Sequence, residues 1–200
     1  MLLNHVILAL LWMVYCVLHS LMASVRIKNW LEKISGSSYR YYRLFYTLFS
    51  FFFLVIVLYF QFMLPTIMLY KMHALIFAFG SVLGLSGLVL MLFCIKKYFM
   101  SLSGLRSLVQ ETTYNKLLIT GIHRYVRHPL YLGTFAFIWG LFLVKPYLSL
   151  LIANSIITVY TLIGIQLEED KLIGEFGESY KNYQQSVPKL LPFKRVKQKV

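Results

Sequence analysis

Apolar residues in this chain fall into five long runs, and polar residues are confined to the gaps between them. The runs cover 6–24, 44–64, 74–95, 130–144 and 147–167. The first three are long enough to cross a bilayer as helices, the fourth is short, and the fifth follows it closely. Lys145-Pro146 leaves room between the last two only for a helical hairpin. Pro65 ends the second run, and Pro129 stands at the start of the fourth, where a missing N–H costs nothing in a first helical turn. The pattern predicts an all-α, polytopic integral membrane protein with about five transmembrane helices. We expect one integrated domain, with a three-helix membrane region over 1–95. The region 96–200 then holds a connector, the hairpin and a basic tail.

The start lacks a Lys or Arg ahead of the first run and shows no small-residue cleavage site, which favours a retained first helix over a signal peptide. His19, inside that run, is either a functional group or a packing polar group near the helix end, and the packing reading leads. The third run carries Gly80, Gly84 and Gly87, a spacing for close helix packing rather than for a dinucleotide loop, since no strand precedes it. Between the first two runs, 26–43 combines Arg26, Lys28, Lys33, Arg40 and Arg43 with Trp30, Tyr39, Tyr41 and Tyr42, as an interfacial belt does. An amphipathic surface segment over 27–34 fits there.

Composition sharpens this picture. Apolar residues make up 59% and charged residues 14%, with a mean hydropathy of +0.69. The net charge is +13. The basic residues form no single soluble face, so lipid headgroups and topology explain them better than nucleic acid does. With five spans, every Lys and Arg except Lys71 and Lys145 falls on one side, which the positive-inside rule makes cytoplasmic. The N-terminus is then outside and the C-terminus inside. Cys16 and Cys94 lie within apolar runs and read as buried thiols.

Two polar islands carry the candidate chemistry, and both fall on the cytoplasmic side. The first is the basic stretch 118–133, with Arg124, Arg127 and His128 ahead of Pro129 and Tyr131. The second is Glu168-Glu169-Asp170 at the end of the fifth run. Arg127 suits a carboxylate, and His128 can donate, accept or carry charge. Glu168 and Glu169 can pair with Arg127 or accept from an amine or ribose hydroxyls. Spacing alone leaves a purely structural Arg–Glu pair open. His123 and His128 are five apart, not the i, i+4 of two ligands on one helical face, so no metal is expected. No Gly-x-Ser-x-Gly is present and Asp170 is the only Asp, which argues against a Ser/His/Asp hydrolase.

At these residues the sequence resembles a known family. Residues 121–133 are similar to the Gly-x-x-x-x-x-Arg-His-Pro-x-Tyr-x-Gly signature of the isoprenylcysteine carboxyl methyltransferase and phospholipid methyltransferase superfamily. Glu168-Glu169-x-x-Leu172, Phe176-Gly177-Glu178-x-Tyr180-x-x-Tyr183, Val187-Pro188 and Leu191-Pro192 agree with its second half. The resemblance covers about 105–193. His19-Ser20, Ala23-Ser24 and Tyr39-Arg40 look like the bacterial methanethiol S-methyltransferase branch and the related NnrU membrane proteins.

The resemblance implies an integral membrane methyltransferase that uses S-adenosyl-L-methionine, with its site facing the cytoplasm of a bacterial inner membrane. Backbone contacts to the cofactor map to Lys116, Leu117 and Leu118. The signature places Gly121, His123, His128, Pro129 and Tyr131 around it, and the later acids add Glu168 and Glu169. His123 stands where the family often has Tyr. Gly164 stands where the prenylcysteine enzymes carry a substrate-side Arg, which weakens a prenylcysteine substrate more than it weakens the cofactor site. On this reading Arg127, His128 and Glu168 are catalytic. Arg127 and His128 anchor the methionine carboxylate, Glu168 takes the amine or ribose, Tyr131 packs the cofactor, and a small or lipophilic acceptor, first of all a thiol, enters from the bilayer. Two alternatives remain. One is an NADPH-binding membrane reductase related to sterol reductases, separable by cofactor preference. The other is a non-enzymatic NnrU-like protein, in which His128→Ala and Glu168→Gln would be silent.

Overall fold

The computed structural model describes residues 2–102 and 117–192, and among these the secondary structure is helical apart from one isolated antiparallel bridge, Met68 with Tyr147. Residues 103–116 of the 96–127 connector, Lys116 among them, and the basic run 194–199 lie outside the described residues. The described residues form seven α-helices, in order α1 (Leu2–Ala23), α2 (Val25–Ser35), α3 (Tyr42–Met63), α4 (Ala74–Leu102), α5 (Pro129–Val144), α6 (Leu148–Phe176) and α7 (Glu178–Ser186). Short 3-10 turns cover Gly36–Tyr41 and Gly121–Arg124.

Local chemistry sets the boundaries. The Ser24 hydroxyl caps α2 by accepting from the Ile27 N–H at 3.4 Å. Gly36 and Gly177 stop their helices at φ +50° and +55°, a region where a side chain would strain the backbone. Pro129 opens α5, as its fixed φ and missing N–H predict.

Among the described residues, four helices are long and apolar enough to cross a membrane: α1, α3 from Leu44, α4 to Lys97, and α6. That fits an integral membrane protein. α5 has 16 residues, about 24 Å at 1.5 Å per residue, against a hydrocarbon core of roughly 30 Å. α6 runs nine residues past the expected end of the fifth apolar run, through the acidic island. Hydropathy falls there, but Leu172, Ile173 and Phe176 keep the helical period and pack against Tyr180, Tyr183 and Val187.

The described residues divide into two compact units. One holds 2–71, 98–102 and 145–157, and the other 72–97, 117–144 and 158–192. In the first, α1 packs antiparallel to α3 around Leu8, Trp12, Val57, Leu64 and Ala153. His5, Trp12 and His19 recur every seven residues, so they share one face of α1. Each meets a polar partner. His5 contacts the Thr66 hydroxyl at 3.3 Å, and the Trp12 indole N–H donates to Gln61 Oε1 at 2.7 Å. His19 lies 2.8 Å from the Tyr46 hydroxyl and 3.3 Å from that of Ser50. These contacts give His19 polar partners across the α1–α3 seam. Thr66 also accepts from the Ser149 N–H, and the Lys145-Pro146 turn is tied down by Leu69 N–H donating to the Pro146 carbonyl at 2.8 Å. Both cysteines are buried free thiols.

In the second unit α4 and α5 meet backbone to backbone. A Cβ on Gly80 would lie 2.7 Å from Leu143 Cβ, one on Gly87 would run into the Phe137 backbone, and one on Gly140 into that of Gly84. The glycine spacing is thus a packing motif, matched on α5 by Gly133 and Gly140.

Candidate functional site

The site lies wholly within the second unit and begins with a turn. Gly121 takes φ +64°, and a Cβ there would sit 2.8 Å from the Lys97 ammonium. The chain then coils through Gly121–Arg124, and the His123 Nδ1–H reaches the Arg127 carbonyl at 3.1 Å. From the other side, the Tyr183 hydroxyl donates to the His123 carbonyl at 2.6 Å. The N–H groups of Arg127 and His128 donate to the Pro188 and Lys189 carbonyls at 3.0 and 3.2 Å. The segment 187–189 therefore holds the two basic residues by their backbone, while Pro129 commits the next residues to α5.

α6 supplies the facing wall. Glu168, Lys171, Leu172, Glu175 and Phe176 recur at i, i+3, i+4, i+7 and i+8, one face of a helix. Together with Leu117, Leu118, His123, Arg127, His128, Tyr180 and Tyr183 they line a cavity of about 340 Å³. That size falls within the range of small-molecule sites.

Behind this wall sits Glu169, whose side chain is 3% exposed. Its Oε1 accepts from Arg127 Nη2 and from His128 Nε2, each at 3.1 Å, and Lys189 Nζ reaches Oε2 at 3.1 Å. A carboxylate only accepts, so the His128 proton sits on Nε2. His128 Nδ1 faces Glu168 Oε2 at 3.8 Å, too long for a hydrogen bond, and the Tyr131 ring stacks on the imidazole at 5.7 Å. Arg127 keeps two buried donors, Nε and Nη1, with no partner. Burial pushes the His123 imidazole below its ordinary pKa, with the Lys97 charge adding to this and the Arg127 carbonyl opposing it. Burial, with the Glu169 charge, pushes the Tyr180 hydroxyl up to about 12, so it stays protonated.

Of the residues expected from the sequence, Leu117, Leu118, His123, Arg127, His128 and Glu168 come together on the cavity wall. Gly121 shapes the turn, Pro129 is buried at the head of α5, Tyr131 reaches the site through the His128 ring, and Glu169 stands behind the wall. Lys116 lies outside the described residues. Sequence reasoning missed Lys189 as a partner of Glu169, along with Lys171, Glu175 and the two tyrosines as wall. The period of α6 carried past residue 167 would have found the wall residues of that helix.

Comparison with known proteins follows the same outline. The sequence model of the family described as phospholipid methyltransferase matches residues 77–179, more than half of the chain. Among curated proteins, methanethiol S-methyltransferase of Crocosphaera subtropica is 41% identical over 86 residues, 42% of this chain and 32% of that protein. The enzyme of the same name from Pseudomonas deceptionensis is 41% identical over 73 residues, 36% of this chain and 26% of its own. Protein-S-isoprenylcysteine O-methyltransferase of Schizosaccharomyces pombe is 39% identical over 80 residues, 38% and 33% of the two chains. The chain thus spans about a third or less of the length of these relatives. No solved structure gives a significant match.

Proposed function

This chain belongs to the phospholipid methyltransferase family, and from that premise we propose that it is an integral membrane methyltransferase using S-adenosyl-L-methionine, with a small thiol as acceptor. The observation that carries the reading is the cavity wall itself, on which Arg127 and His128 form a cationic pair held by Glu169, with the Glu168 carboxylate facing His128 at 3.8 Å. An anionic group is the complement of such a pole, and a carboxylate suits it best, since hydrogen bonds between ionised partners are the stronger ones. The donor set therefore suits the methionine end of the cofactor, with Arg127 and His128 as its cationic pole. Glu168, on the wall and 45% exposed, is the acceptor for an amine or ribose hydroxyl. Tyr131 acts by fixing the imidazole plane. Leu117, Leu118, Leu172 and Phe176 offer apolar surface that excludes water.

When bound, the cofactor supplies a methyl group on an electron-poor sulfonium. A thiol acceptor asks little more of the chain than alignment and dryness, and orientation alone is worth several kcal/mol. The relatives named for methanethiol support a thiol. The open space around Gly164, where a Cβ would meet nothing within 4 Å, fits an acceptor that needs no anchoring arginine.

For topology we propose that α5 crosses together with α6 as a hairpin, giving five spans with the N-terminus outside. Nearly all basic residues then face the cytoplasm of a plasma membrane, and the cavity mouth with them. The test is calorimetry of the detergent-purified protein with S-adenosyl-L-methionine, followed by labelled methyl donor with methanethiol, a prenylcysteine and phosphatidylethanolamine. Binding and methylation of the thiol are expected. Absence of cofactor binding would overturn the proposal.

A further inference from the structure

Two tyrosines three residues apart on α7 line the same cavity, and their hydroxyls are used differently. The Tyr183 hydroxyl is bound within the chain, donating to the His123 carbonyl at 2.6 Å. The Tyr180 hydroxyl has no hydrogen-bond partner among the described residues. It is not sealed in either, because among those residues the fully enclosed side-chain polar atoms without a partner are Arg127 Nε and Nη1 alone. Tyr180 as a whole is 2% exposed, and its ring belongs to a small core with Tyr183 and Val187. The hydroxyl therefore keeps accessible surface while the ring is packed, and the cavity is where it opens. Leaving a nearly buried hydroxyl unpaired is unfavourable, and phenylalanine would fill the same core without that cost.

Electrostatics indicate the acceptor. The charges of Glu169, Arg127 and Glu168 all act on the Tyr180 hydroxyl, so it stands beside the cationic pole. Burial, and then Glu169, raise its pKa to about 12, which keeps it a neutral donor at neutral pH. Glu169 is itself neutralised by Arg127 and Lys189. With Nε and Nη1 enclosed and Nη2 on Glu169, the guanidinium draws an anion by its field more than by contact. We propose that Tyr180 is a ligand-binding residue whose hydroxyl donates to the carboxylate at the amino-acid end of the cofactor. The proposal rests on the cofactor reading given above and names the group that makes the contact. Arg127 supplies the charge, and Tyr180 supplies the directed hydrogen bond.

The experiment uses the full chain in detergent and compares the parent with Tyr180→Phe, which keeps the ring and removes only the oxygen. Affinity is measured by calorimetry with S-adenosylhomocysteine, which needs no turnover. It is measured again, by competition, with 5′-methylthioadenosine, which keeps the nucleoside and the sulfur but has no carboxylate. Thermal unfolding is followed without ligand. Tyr180→Phe is expected to bind S-adenosylhomocysteine about tenfold more weakly, as the loss of one hydrogen bond to a charged group does. Its affinity for methylthioadenosine is expected to match the parent's. Its melting temperature should equal or exceed the parent's, since no bond within the fold is lost. Parent-like binding of S-adenosylhomocysteine would overturn the proposal. So would an equal loss toward methylthioadenosine, which puts the hydroxyl on the nucleoside, or a lower melting temperature, which puts it in the fold. A parent protein that binds no S-adenosylhomocysteine would instead overturn the cofactor reading beneath it.

Discussion

The two units bury polar groups in opposite ways. In the first, His5, Trp12 and His19 each meet a neutral partner across the α1–α3 seam. In the second, three basic side chains crowd one buried carboxylate, and the arginine among them is left with donors to spare. Neutral pairs inside apolar helices fix register at small cost, since each group is satisfied within the chain. A charged cluster with unmatched donors is expensive to hold, and it makes sense only where something else completes it. The two units therefore differ in how completely their polar groups are paired, more than in where polarity occurs.

Removing the carboxylate is expected to have the largest effect. Glu169→Ala leaves Arg127, His128 and Lys189 without a counter-charge, and breaking a buried ion cluster from one side costs about 3–5 kcal/mol. Thermal unfolding in detergent should show it, with cofactor binding lost. A mild phenotype would mean the cluster is better solvated than its burial implies.

A smaller loss is expected from Gly140→Ala, whose new methyl would run into the Gly84 backbone, where nothing flexible can yield. Overpacking of this kind costs about 1–3 kcal/mol, read as a lower melting temperature. Gly164→Ala is the control, since its Cβ would enter open space. In the first unit, Gln61→Leu strands the Trp12 N–H and should cost about 1 kcal/mol, while cofactor affinity stays at the parent value. A loss of affinity there would blur the division between the two units.

The smallest expected effect is a pH dependence. Burial lowers the pKa of His123 in the folded state, while the unfolded chain titrates near about 6.5. The unfolded state therefore binds more protons below that value, and the contribution of His123 to stability is present above it and lost as the pH falls. Melting temperatures of the parent should drop more steeply from pH 7 to 5.5 than those of His123→Gln. Equal slopes would place the charge of His123 elsewhere.

Much of this was legible in the sequence, for a physical reason. A polar island in an apolar chain must be near water or near a partner, so 118–133 and 168–170 announced themselves. His128 and Glu168 do face each other across 3.8 Å on one cavity. Pairings that depend on a chain reversal were not legible. Lys189 returns to Glu169 only because Gly177 turns the chain at φ +55° and α7 brings it back, and a lone lysine on a polar stretch gives no hint of this. Likewise Gly80, Gly84 and Gly87 announced close packing, but not that Gly133 and Gly140 would be the other half. The reach of α6 past residue 167 was hidden by its acids, although its apolar period continued.

The backbone grip of Pro188 and Lys189 on Arg127 and His128 has a consequence for biosynthesis. Residues that the ribosome delivers early must wait for a stretch made some sixty codons later before their geometry is set. A half-made chain has delivered its first apolar helices, yet its polar island at 118–128 still lacks the partners that hold it. The geometry of Arg127 and His128 is thus completed only once the last stretch of the chain has joined them.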